Sequence, residues 1–268
     1  MQATLTKSEL RSLAPAALAT EPANSVSKTY KFYPTSAIID ALASENWAVI
    51  EARTANSRTP TTMPATYRKH EIVFADRDIL KKKHTVHEIP RIMLTNAHDA
   101  NAACRMYAGL YRFICSNGMV ISDGVVQSVR ITHTHRTIEE VVATAQAFRA
   151  NTQLIGEHVD AFKRKLLTQA EINHFARQAI VLRQPKNPES IITPNDILAV
   201  KRSEDVGDDL WHVFNRAQEW LLHGGFPIYR HDATKGWTMK DARPIKGIDQ
   251  TTQLNADLWA LAEQYSLN

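Results

Sequence analysis

The residues of this chain whose types and spacing could do chemistry together are cationic and aromatic, and that chemistry is the capture of a polyanion. Lys81, Lys82 and Lys83 stand in a row ahead of His84. Arg91, Arg105, Arg112, Arg130 and Arg136 follow, with Tyr107 and Tyr111 among them. A protein that holds single-stranded DNA needs cations to track phosphates and flat rings on which bases stack. His133 and His135 could also reach phosphates. From Tyr67 to Arg136 there are eleven Lys/Arg against six Asp/Glu, whereas from Lys201 onward there are eight against ten. The basic excess is therefore local. The net charge of +4 and pI of about 9.0 lean only mildly toward anionic partners.

Other chemistries find weaker support. His133-Thr134-His135 would place its two imidazoles on opposite faces of a strand, poor geometry for one metal. His84, His87, His98, Cys104 and Cys115 match no zinc spacing. Cys115 sits in an apolar run, where a thiol is packing rather than a nucleophile. Asp205, Asp208 and Asp209 gather at a helix start and favour its dipole. Gly224-Gly225 ends a helix and opens none, which makes it a poor phosphate loop. The residues imply a non-enzyme with no catalytic residues, no metal and no cofactor. Two cysteines, no apolar leader and no long apolar run imply reduced thiols, no membrane contact and a cytoplasmic location.

The elements that must position these residues read as an α+β fold, a small antiparallel sheet packed on a long amphipathic helix with a helical C-terminal part. Residues 1–28 read as a flexible arm, because Pro15, Pro22 and small polar residues dominate after a possible Thr6/Glu9 cap. Residues 29–183 read as the core. A helix at Ser36–Ala43 is followed by strands at Trp47–Arg53, Tyr67–Asp76, Ile89–Thr95, Ala102–Val120 and Val125–Arg136. Asn117-Gly118 is a hairpin turn signal. Alternation puts Val129 and Ile131 on an apolar face, with Arg130 and Arg136 on the other. The long helix opens at the capping box Thr137–Glu140 and carries Val141, Ala145, Phe148, Val159, Phe162 and Leu166 at helical spacing. A second box, Thr168–Glu171, opens the next helix. Residues 184–268 read as a helical part packed on the core, with a helix at Asp205–His223, an irregular segment, and a last helix near Leu254–Tyr265.

Three strings carry a family resemblance. Leu94–Ala100 (LTNAHDA), Tyr111–Val120 (YRFICSNGMV) and Leu210–Gly225 (LWHVFNRAQEWLLHGG) resemble the domain-of-unknown-function family DUF932 of phage- and plasmid-borne proteins, and Asn255–Glu263 looks like its C-terminal end. The resemblance implies a mobile-element origin but no activity. Family members usually have Ser and Gly where this chain has Ala97 and Ala100. That excludes a hydroxyl-dependent role at Ala97 and implies a helical or less tight turn. A further resemblance, of element order alone, is to the single-strand annealing proteins of phages and eukaryotes, which assemble into rings or helices. It implies a homo-oligomer that binds single-stranded DNA and anneals it in recombination. The alternative is a protein-binding anti-defence or regulatory factor without nucleic-acid affinity.

Overall fold

The computed structural model describes residues 4–55, 63–81, 88–112, 118–120, 129–131, 138–150, 152–183 and 190–267. The chain divides into two compact units, one of Met1–Phe113 with Val120–Gln153 and the other of Ile114–Met119 with Leu154–Asn268.

In the first unit, helix α1 (Lys7–Leu13) starts at a reciprocal cap in which the Glu9 N–H donates to Thr6 Oγ1 and the Thr6 N–H donates to Glu9 Oε2. A 3-10 turn at Pro15–Leu18 follows, with Pro15 at the first position, where a missing N–H costs nothing. Helix α2 (Thr35–Ser44) leads into strands β1 (Trp47–Thr54) and β2 (His70–Asp76), the short helix α3 (Arg77–Lys81), β3 (Glu88–Asn96), β4 (Cys104–Arg112), β5 (Gly118–Val120, of which Val120 alone falls in this unit), β6 (Val129–Ile131) and helix α4 (Ile138–Ala150). The sheet runs β1-β2-β3-β4-β5, and β6 also pairs with β4.

One sheet face presents Trp47, Ile72, Phe74, Ile92, Leu94, Cys104, Met106 and Ala108 to Leu10 of α1, Ile38 and Leu42 of α2, and Val141, Ala145 and Phe148 of α4. The last three recur at helical spacing, which places them on one side of α4. Burying each such aliphatic or aromatic side chain contributes about 1.5–3 kcal/mol. At the end of β2, Asp76 accepts from Arg149 of α4, whose guanidinium also lies 5.8 Å from the Trp47 ring centroid. The expected loose arm is instead part of this core. Leu10, Ala14, Ala16, Ala17 and Ala23 are buried, the Leu5 N–H donates to the Val49 carbonyl, and the Ala23 N–H donates to the His98 carbonyl. Small alanine side chains allow that close approach, a packing signal that composition alone conceals.

The second unit contains α5 (Thr152–Arg164), α6 (Gln169–Arg183), β7 (Ser190–Ile191), α7 (Pro194–Leu198), α8 (Leu210–His223), β8 (Pro227–Asp232), β9 (Gly236–Asp241) and α9 (Ile248–Leu267). The expected long helix is described on either side of residue 151, as α4 and α5. Because α5 ends at Arg164, Leu166 falls out of helical phase and is exposed, and Leu167 is buried in its place. The Thr168–Glu171 cap forms as expected. Phe162, Trp211, Phe214 and Trp259 make the aromatic centre, with Phe162 and Trp259 rings 5.0 Å apart and Trp211 stacked near-parallel on Phe214. Gln218 of α8 donates to Asn255 of α9 at 2.7 Å inside this core. The segment read as irregular is in fact the β8–β9 hairpin, paired from Pro227↔Asp241 to Asp232↔Gly236.

Gly224 ends α8 with φ +71°, and its N–H donates to the Trp220 carbonyl. A Cβ there would lie 2.3 Å from the Ala242 carbonyl oxygen. Both the backbone conformation and the close approach demand glycine. Gly224→Ala is expected to destabilise the protein by about 2 kcal/mol or more, read as a lowered urea midpoint; an unchanged midpoint would contradict this close approach.

Candidate nucleic-acid interface

The registers of β2, β3, β4 and β6 decide which cations share a surface. Arg53 pairs with Glu71, Glu71 with Thr95, Thr95 with Arg105, and Arg105 with Arg130. These five positions form one cross-strand row on the sheet face opposite the Phe74 core, because directly paired residues lie on the same face. Tyr107 lies one position pair away on that face, opposite Met93, about 7 Å along β4 from Arg105. Arg105 is exposed and Tyr107 half-buried. Within the row Glu71 is buried and engaged in two hydrogen bonds from Arg53, Nε to Oε1 at 2.7 Å and Nη2 to Oε2 at 3.2 Å. That bidentate pair offsets the row's one carboxylate and leaves the β4–β6 end basic.

Several other expected contacts do not join this group. Arg91 is on the same face but buried, between the paired positions Ala75 and Gly109, with its Nη2 3.2 Å from the Met93 sulfur. The physical reason is that β3 is the central strand of the path, and Val73, Ala75, Ile89 and Met93 are buried along this face with it. Among its described residues the arginine-bearing face is thus closed over β3 and opens at Arg105 and Tyr107 of β4 and, half-buried, at Arg53 of β1. Arg112 pairs with Glu88 and has the parity of Leu110 and Ala108, which puts its position on the opposite face. Tyr111 pairs with Ile89 and has the parity of Tyr107. Lys81 is exposed at the end of α3 and donates to Asp78 at 2.9 Å, which offsets part of its charge. The side chains of Tyr111, Arg112 and Arg130 lie outside the described residues, as do Lys82, Lys83, His133, His135 and Arg136, the Asn117 turn, the Thr137 cap and Cys115.

The string Leu94–Ala100 builds something the sequence reading missed. The Thr35 hydroxyl lies 2.9 Å from His70 Nε2 and 3.3 Å from His98 Nε2, and accepts from Asn96 Nδ2 at 3.0 Å. All four residues are fully buried. His70 Nδ1 must donate to the Arg68 carbonyl at 3.0 Å, so its Nε2 accepts from the Thr35 O–H. The same hydroxyl oxygen can then receive N–H donors from Asn96 and His98. Two polar signals were visible, the histidines and the Asn-Ala-His turn, but their meeting at Thr35 depends on tertiary structure. Burial pushes the His70 imidazole down to about 4, and pushes the Cys104 thiol up to about 12, which leaves that thiol inert.

The remaining polar strings are structural as well. Asp209 caps α8 by accepting from the His212 N–H, Asp205 pairs with Arg202, and Arg202 bridges on to Glu219 at 2.7 Å. Among the described residues no three His, Cys, Asp or Glu side chains gather as a metal site, and no helix is long and apolar enough to cross a membrane.

An antiparallel sheet with helices on one face, a mainly helical second unit, and a basic strand pair beside a tyrosine define an α+β protein with a polar, cation-edged sheet. The chain belongs to the family of the domain of unknown function DUF932, whose model matches residues 22–259. It is similar to the UPF0380 protein YfjQ of Escherichia coli K12, at 28% identity over 97% of this chain and 90% of the relative. The UPF0380 protein YafZ of the same strain matches with the same identity and coverage. No solved structure matches the chain significantly.

The turn after β3 shows what one departure from the family pattern does. It has not relaxed into a helical or looser form. Ala100 takes a left-handed conformation, φ +62°, at the position where the resemblance implies glycine. A Cβ costs about 1 kcal/mol in that region. Ala100→Gly should therefore raise stability by roughly 0.5–1 kcal/mol, measured by urea denaturation; a loss of stability would refute the strained turn. His70 gives a pH dependence. Its folded pKa is depressed, so the unfolded chain binds the proton first as pH falls below about 6.5. The stabilising contribution is complete above that value and is lost as pH falls toward 4. Between pH 7 and pH 5 the loss should be about 2 kcal/mol, and His70→Gln should show a shallower decline over the same range.

Proposed function

We propose that this protein binds single-stranded DNA as a homo-oligomer and promotes annealing of complementary strands in the recombination of a phage or plasmid. The observation that carries this reading is the Arg105↔Arg130 pair, next to Tyr107 on one sheet face. Like charges at directly opposed strand positions repel, and a shared phosphate removes that cost. A tyrosine one pair along then offers a ring to the adjoining base. The local excess of Lys/Arg over Asp/Glu between Tyr67 and Arg136 supplies the long-range attraction. Binding and annealing need neither a general base nor a cofactor, so the reading is of a binding protein rather than an enzyme, with no membrane step and acting in the cytoplasm.

The test is fluorescence anisotropy of a labelled single strand across a salt series, with a duplex of the same sequence as competitor. Single-strand preference and a steep loss of affinity with salt are expected. Arg105→Ala should weaken binding and reduce the log–log salt slope by about 0.7, the share of one phosphate contact. Light scattering should give a mass above the 30.2 kDa monomer. A folded, oligomeric protein that binds no DNA at low salt would sink this reading and leave the protein-binding factor in its place.

A further inference from the structure

The β8–β9 hairpin turns an unusual face outward. Tyr229 pairs with Met239 and His231 with Trp237, and Ile191 of β7 pairs with Tyr229, so all five positions share one side of the three-stranded sheet. Trp237 is 62% exposed, Met239 57%, Ile191 48% and Tyr229 39%. Of the alternate positions, Ile228, Arg230 and Thr238 are half-buried and Lys240 is exposed, so the apolar exposed side is the one that carries the rings. A contiguous patch of this kind marks a contact surface rather than ordinary scatter of apolar residues.

The charge around the patch identifies the partner's chemistry. From Pro227 to Gly247 there are five Lys/Arg against two Asp. One of those two, Asp232, is occupied inside the turn, where it accepts from the Thr234 and Lys235 N–H groups and the Thr234 hydroxyl. Outside this segment, residues from Lys201 onward hold three Lys/Arg against eight Asp/Glu. The cations of an otherwise acidic region are thus gathered in the segment that, among the described residues from Lys201 onward, exposes aromatic rings. Lys235, in the turn two residues from Trp237, and Arg243 and Lys246, just beyond β9, are all exposed, whereas Lys240 pairs with Ile228 on the side away from the rings.

We infer that this hairpin face is a stacking platform for the bases of single-stranded DNA, with Trp237 as its principal ring and the neighbouring lysines on the phosphates. The inference rests on the single-strand reading above and adds a second contact surface in the other unit. Exposed rings next to cations suit a ligand with flat apolar bases on an anionic backbone. The edge-to-face contact of His231 with Trp237, ring centroids 5.2 Å apart at 72°, supports the indole on the face that also holds Tyr229.

The test uses the full chain with fluorescently labelled oligothymidine and, as a second probe, an abasic strand with the same number of phosphates. Trp237→Ala should weaken oligothymidine binding by about five- to 100-fold and leave abasic-strand binding nearly unchanged, while Trp237→Phe restores most of the loss. Circular dichroism serves as the fold control for this exposed position. A Trp237→Ala protein that binds oligothymidine as tightly as the wild type overturns the platform but not DNA binding. If that variant instead loses oligomer mass in light scattering with DNA affinity intact, the face is a subunit contact and the inference fails. Absence of wild-type binding to both probes overturns both readings.

Discussion

The Thr35 hydroxyl is the point through which the first unit is held together. It stands at the start of α2 and meets His70 of β2, Asn96 of β3 and His98 of the following turn. A hydroxyl has one proton and two lone pairs, and this one uses all three. The arrangement is buried, so each lost partner leaves a polar atom with no water to replace it. The constraint fixes where α2 crosses the sheet. It also fixes the Asn96–Ala100 turn, whose Ala97 carbonyl accepts from the Tyr30 hydroxyl at 3.1 Å. The string that marks the family at this place is therefore a structural joint between a helix, two strands and a turn.

A similar account holds in the second unit for the string at Leu210–Gly225. Its apolar letters, Leu210, Val213, Phe214, Ala217 and Leu221, are the inward side of α8, as their spacing predicts. Its polar letters are buried too. Asn215 donates to the Trp211 carbonyl at 2.6 Å, Gln218 reaches Asn255, and Glu219 receives Arg202. Periodicity made the first set legible. The second set was legible only as letters, since a helix wheel does not say which polar residues find partners on neighbouring elements.

The same division runs through the candidate interface. Strand parity placed Arg130 opposite the Val129–Ile131 face, and the register agrees. Parity could not show that Arg91 is buried, because that depends on β3 being central, a property of strand order and not of local sequence. Parity along β4 does separate Arg112 from Arg105, which stand seven residues apart and so on opposite faces. The hairpin at Pro227–Asp241 was missed for a different reason. Its alternation is present in Ile228-Tyr229-Arg230-His231 and Trp237-Thr238-Met239-Lys240, but the apolar side faces outward, so it does not have the composition of a core strand. Averaging charge from Lys201 onward hid its lysines among the acids of the neighbouring helices.

The family match begins at residue 22, yet Leu10, Ala14 and Ala17 lie in the same core as Trp47, Phe74 and Leu94. Thr54 Oγ1 donates to the Leu13 carbonyl at 3.0 Å, and the backbone of Leu5 bonds to β1. The limit of the family model and the limit of burial differ here by more than a helix. A fragment trimmed to the matched segment would leave one side of α2 and β1 uncovered. Residues ahead of the family-model match are thus part of what closes this core.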